Sequence, residues 1–240
     1  MRQTIKMLSS MATKQLLAEL VANYTAMHPV DEASEEDATI DFASDGGVNA
    51  VKRIEAGEAL DWIVLGSDAL AKLAEGGFID AASKVDLFES SIAIAVAKGA
   101  KPPNIRSEEA VKAAVLHADT IGYSTGPSGV YLIQLFKRWG IADAIAAKLV
   151  QAPASVPVGE MVRQGQVMLG FQQLSELQGV EGIEILGLLP PEIQSVTVFS
   201  VAIRSGSKSQ AAYAKWIEYV TSPSRHEVIV ANGMVPFYPG

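Results

Sequence analysis

The chain has 240 residues, and with 49% of them hydrophobic it can bury the core of one large domain or two small ones. Its formal net charge of −8 argues against binding to nucleic acid, and no apolar run reaches the roughly 18 to 20 residues that a bilayer span needs. Because there is no cysteine, disulfides, thiolate zinc sites and thiol nucleophiles are excluded.

The amino-terminal third of the chain alternates between strand and helix patterns. The apolar stripe through Leu16, Leu20 and Tyr24 is typical of an amphipathic helix, and Asp45-Gly46-Gly47 predicts a turn. The predicted elements are a strand at 4–10, a helix at 12–29, an acidic loop at 30–38, a strand at 39–44, a helix at 48–57, a strand at 61–67 and a helix at 69–77. This order predicts a parallel sheet covered by helices.

Two apolar segments, 90–100 and 193–203, break the strand-then-helix order and read as strands that cross between two lobes. Between them the patterns predict helices at 107–118, 142–149 and 156–166, a helix that follows the loop 125–129 and runs through 139, and strands at 120–124, 167–173 and 183–190. Ser107, followed by glutamates, predicts a capping box. We expect an α/β fold of two lobes, each a mixed sheet flanked by helices: 1–89 with 194–240, and 90–193, with a ligand cleft between them.

The segment TIGYSTGPSG (120–129) has two incompatible interpretations. Gly122, Ser124 and Gly126 spell the G-x-S-x-G turn of a serine nucleophile, for which His226 is the only later histidine. Alternatively, the same turn with Ser128 holds an anion at the start of a helix, or is a structural turn with Ser128 as N-cap.

Several segments resemble the molybdate-binding protein family, which has the type II periplasmic binding fold. They are 5–20 (IKMLSSMATKQLLAEL), 42–77 (FASDGGVNAVKRIEAG and onward), 128–141 (SGVYLIQLFKRWGI), 162–177 (VRQGQVMLGFQQLSEL) and 188–203 (LLPPEIQSVTVFSVAI). The resemblance implies a small anionic ligand held in the cleft by serine hydroxyls and by amides at helix starts, where unpaired N–H groups favour negative charge.

Three strand-to-helix loops and one strand end supply the expected ligand contacts. The candidates are Ser9, Ser10 and Thr13; Ser44, Gly46 and Gly47; Ser124, Thr125, Gly126, Ser128 and Gly129; and Gln172 and Gln173. Because adjacent strand residues face opposite ways, only one of the two glutamines should reach the ligand.

Asp45 stands where the family has a small polar residue, and its carboxylate would repel molybdate. One branch of the family, the aconitate isomerases, interconverts trans- and cis-aconitate by moving a proton along an allylic system. The resemblance therefore implies an isomerase of a small tri- or dicarboxylate with Asp45 or Glu160 as base; Lys14 and Tyr123 are further candidates. The alternative is a solute-binding protein of an ABC transporter for a molybdate-like oxyanion or organic acid.

We expect no cofactor and no metal, because the three histidines are far apart and none has a partner at metal-ligand spacing. The amino terminus lacks the pattern of a signal peptide, so we expect a periplasmic protein whose signal is absent or removed, with a cytoplasmic protein as the alternative. The expected partners are the small anion and, for the transport alternative, an ABC permease.

Overall fold

The computed structural model of the protein describes residues 3–28, 38–153 and 155–238, and the predicted acidic loop at 30–38 lies outside them apart from Ala38. The chain begins with strands and helices in alternation: β1 (Gln3–Ser10), α1 (Lys14–Met27), β2 (Ala38–Asp45), α2 (Gly47–Glu55), β3 (Trp62–Gly66) and α3 (Ser67–Glu75). Its middle comprises β4 (Val85–Ala97), α4 (Glu108–His117), β5 (Ile121–Tyr123), α5 (Pro127–Arg138), α6 (Ala142–Ile145), β6 (Leu149–Gln151), α7 (Val158–Arg163), β7 (Leu169–Gln173), α8 (Leu174–Leu177) and β8 (Ile183–Leu188). Its last part comprises β9 (Val196–Ile203), α9 (Gln210–Thr221), α10 (His226–Ala231) and β10 (Val235–Pro236).

The chain divides into two compact units. Unit 1 is formed by Met1–Glu89 with Val198–Gly240, and unit 2 by Ser90–Thr197. The chain passes from one unit to the other twice, once inside β4 and once inside β9. Each unit has its own mixed sheet and its own apolar clusters, which confirms the predicted α/β architecture.

In unit 1, β1 runs parallel to both β2 and β3, and β9 pairs with β3 in the antiparallel sense. Alternate residues along the strands face opposite sides of this sheet. Met7 and Val64 pack with α1, α9 and α10, whereas Leu8 and Leu65 pack with α2 and α3. The period-two pattern of apolar residues thus covers both faces of the sheet with helices.

Aromatic side chains dominate the α1 side of unit 1. Trp62 and Trp216 are buried and stack with ring centroids 6.2 Å apart. Tyr24 meets Trp216 edge-on at 5.3 Å. The indole Nε1 of Trp62 donates to the Ser209 hydroxyl at 2.9 Å, which satisfies its polar group inside the core.

In unit 2, β5 lies parallel between β6 and β7, while β4 pairs antiparallel with both β7 and β8. Gly122 and Gly170 are opposite one another in the β5–β7 register. A Cβ on Gly170 would approach Val162 to 2.5 Å, and one on Gly122 would approach Val158 to 2.9 Å. The two glycines therefore let α7 pack directly on the sheet.

Several boundaries differ from those predicted. Strand β4 begins at Val85 rather than at 90, and β6 was not predicted at all. Helix α7 is shorter than the predicted 156–166 because Pro157 precedes it and Gly165, with φ of 70°, follows it. Ser107 caps α4 by accepting from Ala110 N at 3.2 Å, but the third residue after it is alanine, so the reciprocal bond of a capping box is not made.

Candidate functional site

The predicted residues of unit 1 meet at the carboxyl ends of β1 and β2. The parallel register places Ser9 beside Ser44 and Ser10 beside Asp45. The hydroxyl oxygens of Ser9 and Ser44 are 3.1 Å apart and share a hydrogen bond, and Ser9 is fully buried. Two loops that are far apart in the sequence thus bring their hydroxyl groups together.

Ser10 and Thr13 occupy the turn between β1 and α1, and both are buried. Their hydroxyl oxygens are 3.4 Å apart, and the Thr13 hydroxyl donates to the Ser10 carbonyl at 3.2 Å. Although Thr13 is the N-cap of α1, its side chain makes no capping bond. A 3-10 turn at Met11–Thr13 leads into this helix, and Lys14 N donates to the Met11 carbonyl.

Asp45 is anchored within its own loop. Its carboxylate accepts from Gly46 N at 2.7 Å and from Asn49 Nδ2 at 3.2 Å, and it lies 3.4 Å from the Arg53 guanidinium. Gly46 is the N-cap of α2 and Gly47 its first residue, so α2 also begins without a side-chain cap.

The predicted residues of unit 2 meet at the carboxyl ends of β5 and β7. Tyr123 and Phe171 are the last register pair, so Ser124 and Gln172 are the next residues on neighbouring strands. The Ser124 hydroxyl shares a 3.0 Å hydrogen bond with the Ser128 hydroxyl and accepts from Gly126 N at 3.2 Å.

The start of α5 lies close against the end of β5. Gly126 is the N-cap of this helix, which corrects the alternative in which Ser128 caps it. Thr125 precedes the cap and is partly buried. A Cβ on Gly129 would be 1.7 Å from the Ser124 carbonyl oxygen, so only glycine allows this approach. As in α2, a glycine cap leaves the helix start without a side-chain cap.

The two glutamines at the end of β7 are both buried and have different partners. The Gln172 amide is used at both ends: its Oε1 accepts from Val158 N at 2.6 Å and its Nε2 donates to Glu176 at 2.8 Å. Gln173 donates through Nε2 to Thr197 at 2.7 Å, but its Oε1 has no hydrogen-bond partner among the described residues. Of the two, Gln173 has a polar atom left for a ligand.

Glu160 forms an ion pair with a residue of its own helix. Its carboxylate pairs with Arg163 one turn along α7 and also accepts from Gln164. These hydrogen bonds lower the pKa of Glu160 to about 2. A carboxylate with so low a pKa is a weak base at neutral pH.

Glu176, which was not predicted as a site residue, has a raised pKa where Glu160 has a lowered one. It lies in α8 directly after β7, and burial raises the pKa of its carboxyl to about 7 even though the hydrogen bond from Gln172 lowers it. A perturbed carboxyl beside a polar strand end is a functional-site candidate. The fragment FQQLSEL signals a strand end followed by one helical turn, but nothing in it signals that the pKa of the acid is raised.

The serine-hydrolase alternative requires Ser124 and His226, and these lie in different units. The hydroxyl partners of Ser124 are Ser128 and Gly126, whereas the His226 ring contacts the Tyr238 hydroxyl. Neither set of contacts forms a serine–histidine pair. Within the described residues, no cluster of three histidine, aspartate or glutamate side chains has the geometry of a metal site.

The structure thus brings the predicted residues into two groups, one at the strand ends of each unit. The first group contains Ser9, Ser10, Thr13, Ser44, Asp45, Gly46 and Gly47. The second contains Ser124, Thr125, Gly126, Ser128, Gly129, Gln172 and Gln173. That both groups face one cleft stays a prediction.

A family model for bacterial extracellular solute-binding proteins matches residues 5–235. The chain belongs to this family. The resemblance to molybdate-binding proteins is confirmed, because the chain is 27% identical to the molybdate-binding protein ModA of Azotobacter vinelandii over 228 residues, 89% of this chain and 87% of that protein.

Higher identity is found with an aconitate isomerase from a Pseudomonas species. The two are 38% identical over 185 residues, which are 77% of this chain and 70% of the isomerase. The structure of the periplasmic molybdate-binding protein of A. vinelandii superposes with a TM-score of 0.76 at 17% identity, covering 98% of this chain and all of that one. This likeness confirms the type II periplasmic binding fold. Among the helices of the described residues, none has the length and apolarity to span a bilayer.

Proposed function

We propose that the protein is an isomerase of a small tri- or dicarboxylate, converting trans-aconitate into cis-aconitate by proton transfer along the allylic system. The observation that carries this proposal is the 38% identity to an aconitate isomerase over most of the chain, against 27% to a molybdate-binding protein. This chain is therefore more similar to an enzyme than to that binder.

The strand ends of both units suit an anionic ligand. Helices α2 and α5, which carry predicted site residues, begin at the glycine N-caps Gly46 and Gly126 without a side-chain cap. Uncapped helix starts carry unpaired N–H groups and a partial positive charge. Because the protein has a net charge of −8, such local donors must offset its overall repulsion of a carboxylate.

Hydroxyl and amide groups beside these helix starts add contacts for an organic acid. The shared hydroxyl pairs Ser9–Ser44 and Ser124–Ser128 can each rotate a proton toward a carboxylate oxygen. The free amide oxygen of Gln173 accepts from a protonated carboxyl group, and its amide nitrogen would donate to a carboxylate if the amide were turned. This mixture of donors and acceptors suits a tricarboxylate better than a fully ionised tetrahedral oxyanion.

Conversion of trans-aconitate in deuterium oxide, followed by proton NMR, tests the proposal. We expect cis-aconitate to appear and deuterium to enter the carbon positions that exchange protons with the base. Heat-denatured protein at the same concentration is the control. Neither product nor deuterium uptake at high protein concentration would exclude the isomerase.

A second function is supported by the family match across residues 5–235: a periplasmic solute-binding protein that delivers an oxyanion or organic acid to an ABC permease. Thermal unfolding with molybdate, tungstate, sulfate and trans-aconitate separates the two. A ligand at 100 times its Kd adds about 2.7 kcal/mol, equivalent to a rise of about 5 to 10 °C for a chain of this size. A rise with molybdate and tungstate but not with trans-aconitate would favour the transporter function.

A further inference from the structure

Glu176 lies where the chain turns out of β7, at the strand ends that carry Ser124 and Gln173. Its helix, α8, is a single turn that starts immediately after β7. The neighbouring residue Leu177 is fully buried against β4, and the Ser175 hydroxyl shares a bond with Ser90 at 3.3 Å. These contacts on both sides of Glu176 fix the backbone that carries its carboxyl.

A chain of two hydrogen bonds sets the direction of the Glu176 carboxyl. Val158 N donates to Gln172 Oε1, and Gln172 Nε2 donates to Glu176 Oε1. Turning the Gln172 amide over would place its nitrogen against an N–H group and its oxygen against a carboxylate oxygen, so the amide has one orientation. One oxygen of Glu176 is thereby held in place, while its other oxygen makes no bond in this chain of contacts.

Within the part of the chain that the structure describes, no cation is paired with the Glu176 carboxyl. Helix α8 packs against α7 and β7. Strand β7 carries no charged side chain, and the charges of α7, Glu160 and Arg163, pair with each other. On β8, which packs on the same apolar cluster, Glu184 is exposed. With burial as the main influence, the pKa of Glu176 is raised to about 7, so both protonation states are populated near neutral pH.

We propose that Glu176 is the catalytic acid–base of the isomerisation and that Gln172 is the residue that positions it; this rests on the proposed function. The ionised carboxyl takes a proton from the methylene carbon of trans-aconitate, and the C–H electron pair enters the allylic system, which the substrate carboxylates stabilise. The double bond moves by one carbon, and the protonated carboxyl returns the proton to the carbon at the far end. One group takes a proton from one carbon and gives a proton to the other, so no further reactant is needed, and exchange of the carboxyl proton with solvent between the two steps brings deuterium into the product.

Activity measurements on Glu176→Gln, which keeps the size of the side chain, test this role. We expect kcat to fall by about 10²- to 10⁴-fold, as for loss of a general acid–base, while trans-aconitate still raises the melting temperature. Glu176→Asp should retain part of the activity. The matched control, Glu181→Gln, removes an exposed acid of the same unit and should keep wild-type kcat.

The pH profile distinguishes a chemical role from a structural one. In the wild type, kcat/KM should rise with pH around a midpoint near 7, because the carboxyl must be ionised to take the proton. In Gln172→Leu the midpoint should move to higher pH, because the hydrogen bond that favours the ionised form is lost. A purely structural role for Gln172 would change the rate without moving the midpoint.

The outcomes separate the two proposals. If the wild type converts trans-aconitate and Glu176→Gln does so within threefold of its rate, the role of Glu176 is excluded and the isomerase stands. If the wild type converts none, the proposed function fails and the role of Glu176 fails with it. If Glu176→Gln loses both activity and ligand-induced stabilisation, Glu176 serves binding and not proton transfer.

Discussion

Replacing Gly129 by alanine tests the close approach between β5 and the start of α5. The new Cβ would lie 1.7 Å from the oxygen and 2.7 Å from the carbon of the Ser124 carbonyl, and 3.2 Å from the Tyr123 ring. The obstructing atoms are backbone, so no side-chain rotation relieves the clash and the helix start must move away from the strand. Overpacking of this kind costs up to about 3 kcal/mol. The higher helix propensity of alanine returns up to about 1 kcal/mol, which leaves a net loss of about 2 kcal/mol.

For a chain of this size that loss corresponds to a melting temperature lower by about 4 to 8 °C. Differential scanning calorimetry of Gly129→Ala beside Gly47→Ala measures it. Gly47 also lies in the first turn of a helix that follows a strand, but its new Cβ would meet no atom within 4 Å, so that variant should melt at or above the wild-type temperature. If Gly129→Ala melts as high as Gly47→Ala, the geometry described for the 124–129 loop is wrong.

Three further substitutions test other contacts by denaturant unfolding. Ser209→Ala removes the acceptor of the buried Trp62 indole N–H and should cost about 1 to 3 kcal/mol; a loss below about 0.5 kcal/mol would show that water or another group replaces it. Ser107→Ala removes the cap of α4 and should cost about 1 kcal/mol, with an unchanged stability contradicting the 3.2 Å bond to Ala110. The folded protein raises the pKa of Glu176 from 4.5 to about 7, so the stability this group adds is complete below about pH 4.5 and is lost as pH rises to about 7. Compared with Glu176→Gln, the wild type should therefore lose up to about 3 kcal/mol between pH 4.5 and pH 8, and equal slopes in the two proteins would contradict a raised pKa.

Much of the fold was readable from apolar periodicity. The strands of unit 1 alternate so regularly that both faces of its sheet follow from the sequence, and SSIAIAVAKGA identifies the crossing part of β4. The beginning of β4 was missed because Asp86 and Glu89 interrupt the apolar pattern. In the structure Asp86 is bound by Lys84 and by the Ser200 hydroxyl of β9. Because Ser200 lies over 100 residues away from Asp86 in the chain, no local pattern reveals the second contact.

In the candidate site, too, the features set by neighbouring residues could be predicted from the sequence, and those set by residues distant in the chain could not. The serines and glycines at strand ends were found because their type and position are local signals. The pKa shifts of the two glutamates were not anticipated. For Glu160 the sequence does contain the signal, because Arg163 follows it by three residues on a helix, the spacing at which opposite charges pair. Glu176 resembles an exposed helix residue, and only the packing of α8 against α7 and β7 shows that it is partly buried and that the pKa of its carboxyl is raised.

The double passage of the chain between the units has a consequence for biosynthesis. On the ribosome, unit 2 is complete once residue 197 has emerged, whereas unit 1 still lacks β9, whose Val201 pairs with Val64 of β3, and Trp216 of its aromatic core. The amino-terminal strands of unit 1 must therefore wait for the part of the chain after residue 197 before their sheet can close. A stop codon shortly after Thr197 would leave a finished second unit attached to an amino-terminal half with an open sheet edge, the kind of surface that recruits chaperones and proteases.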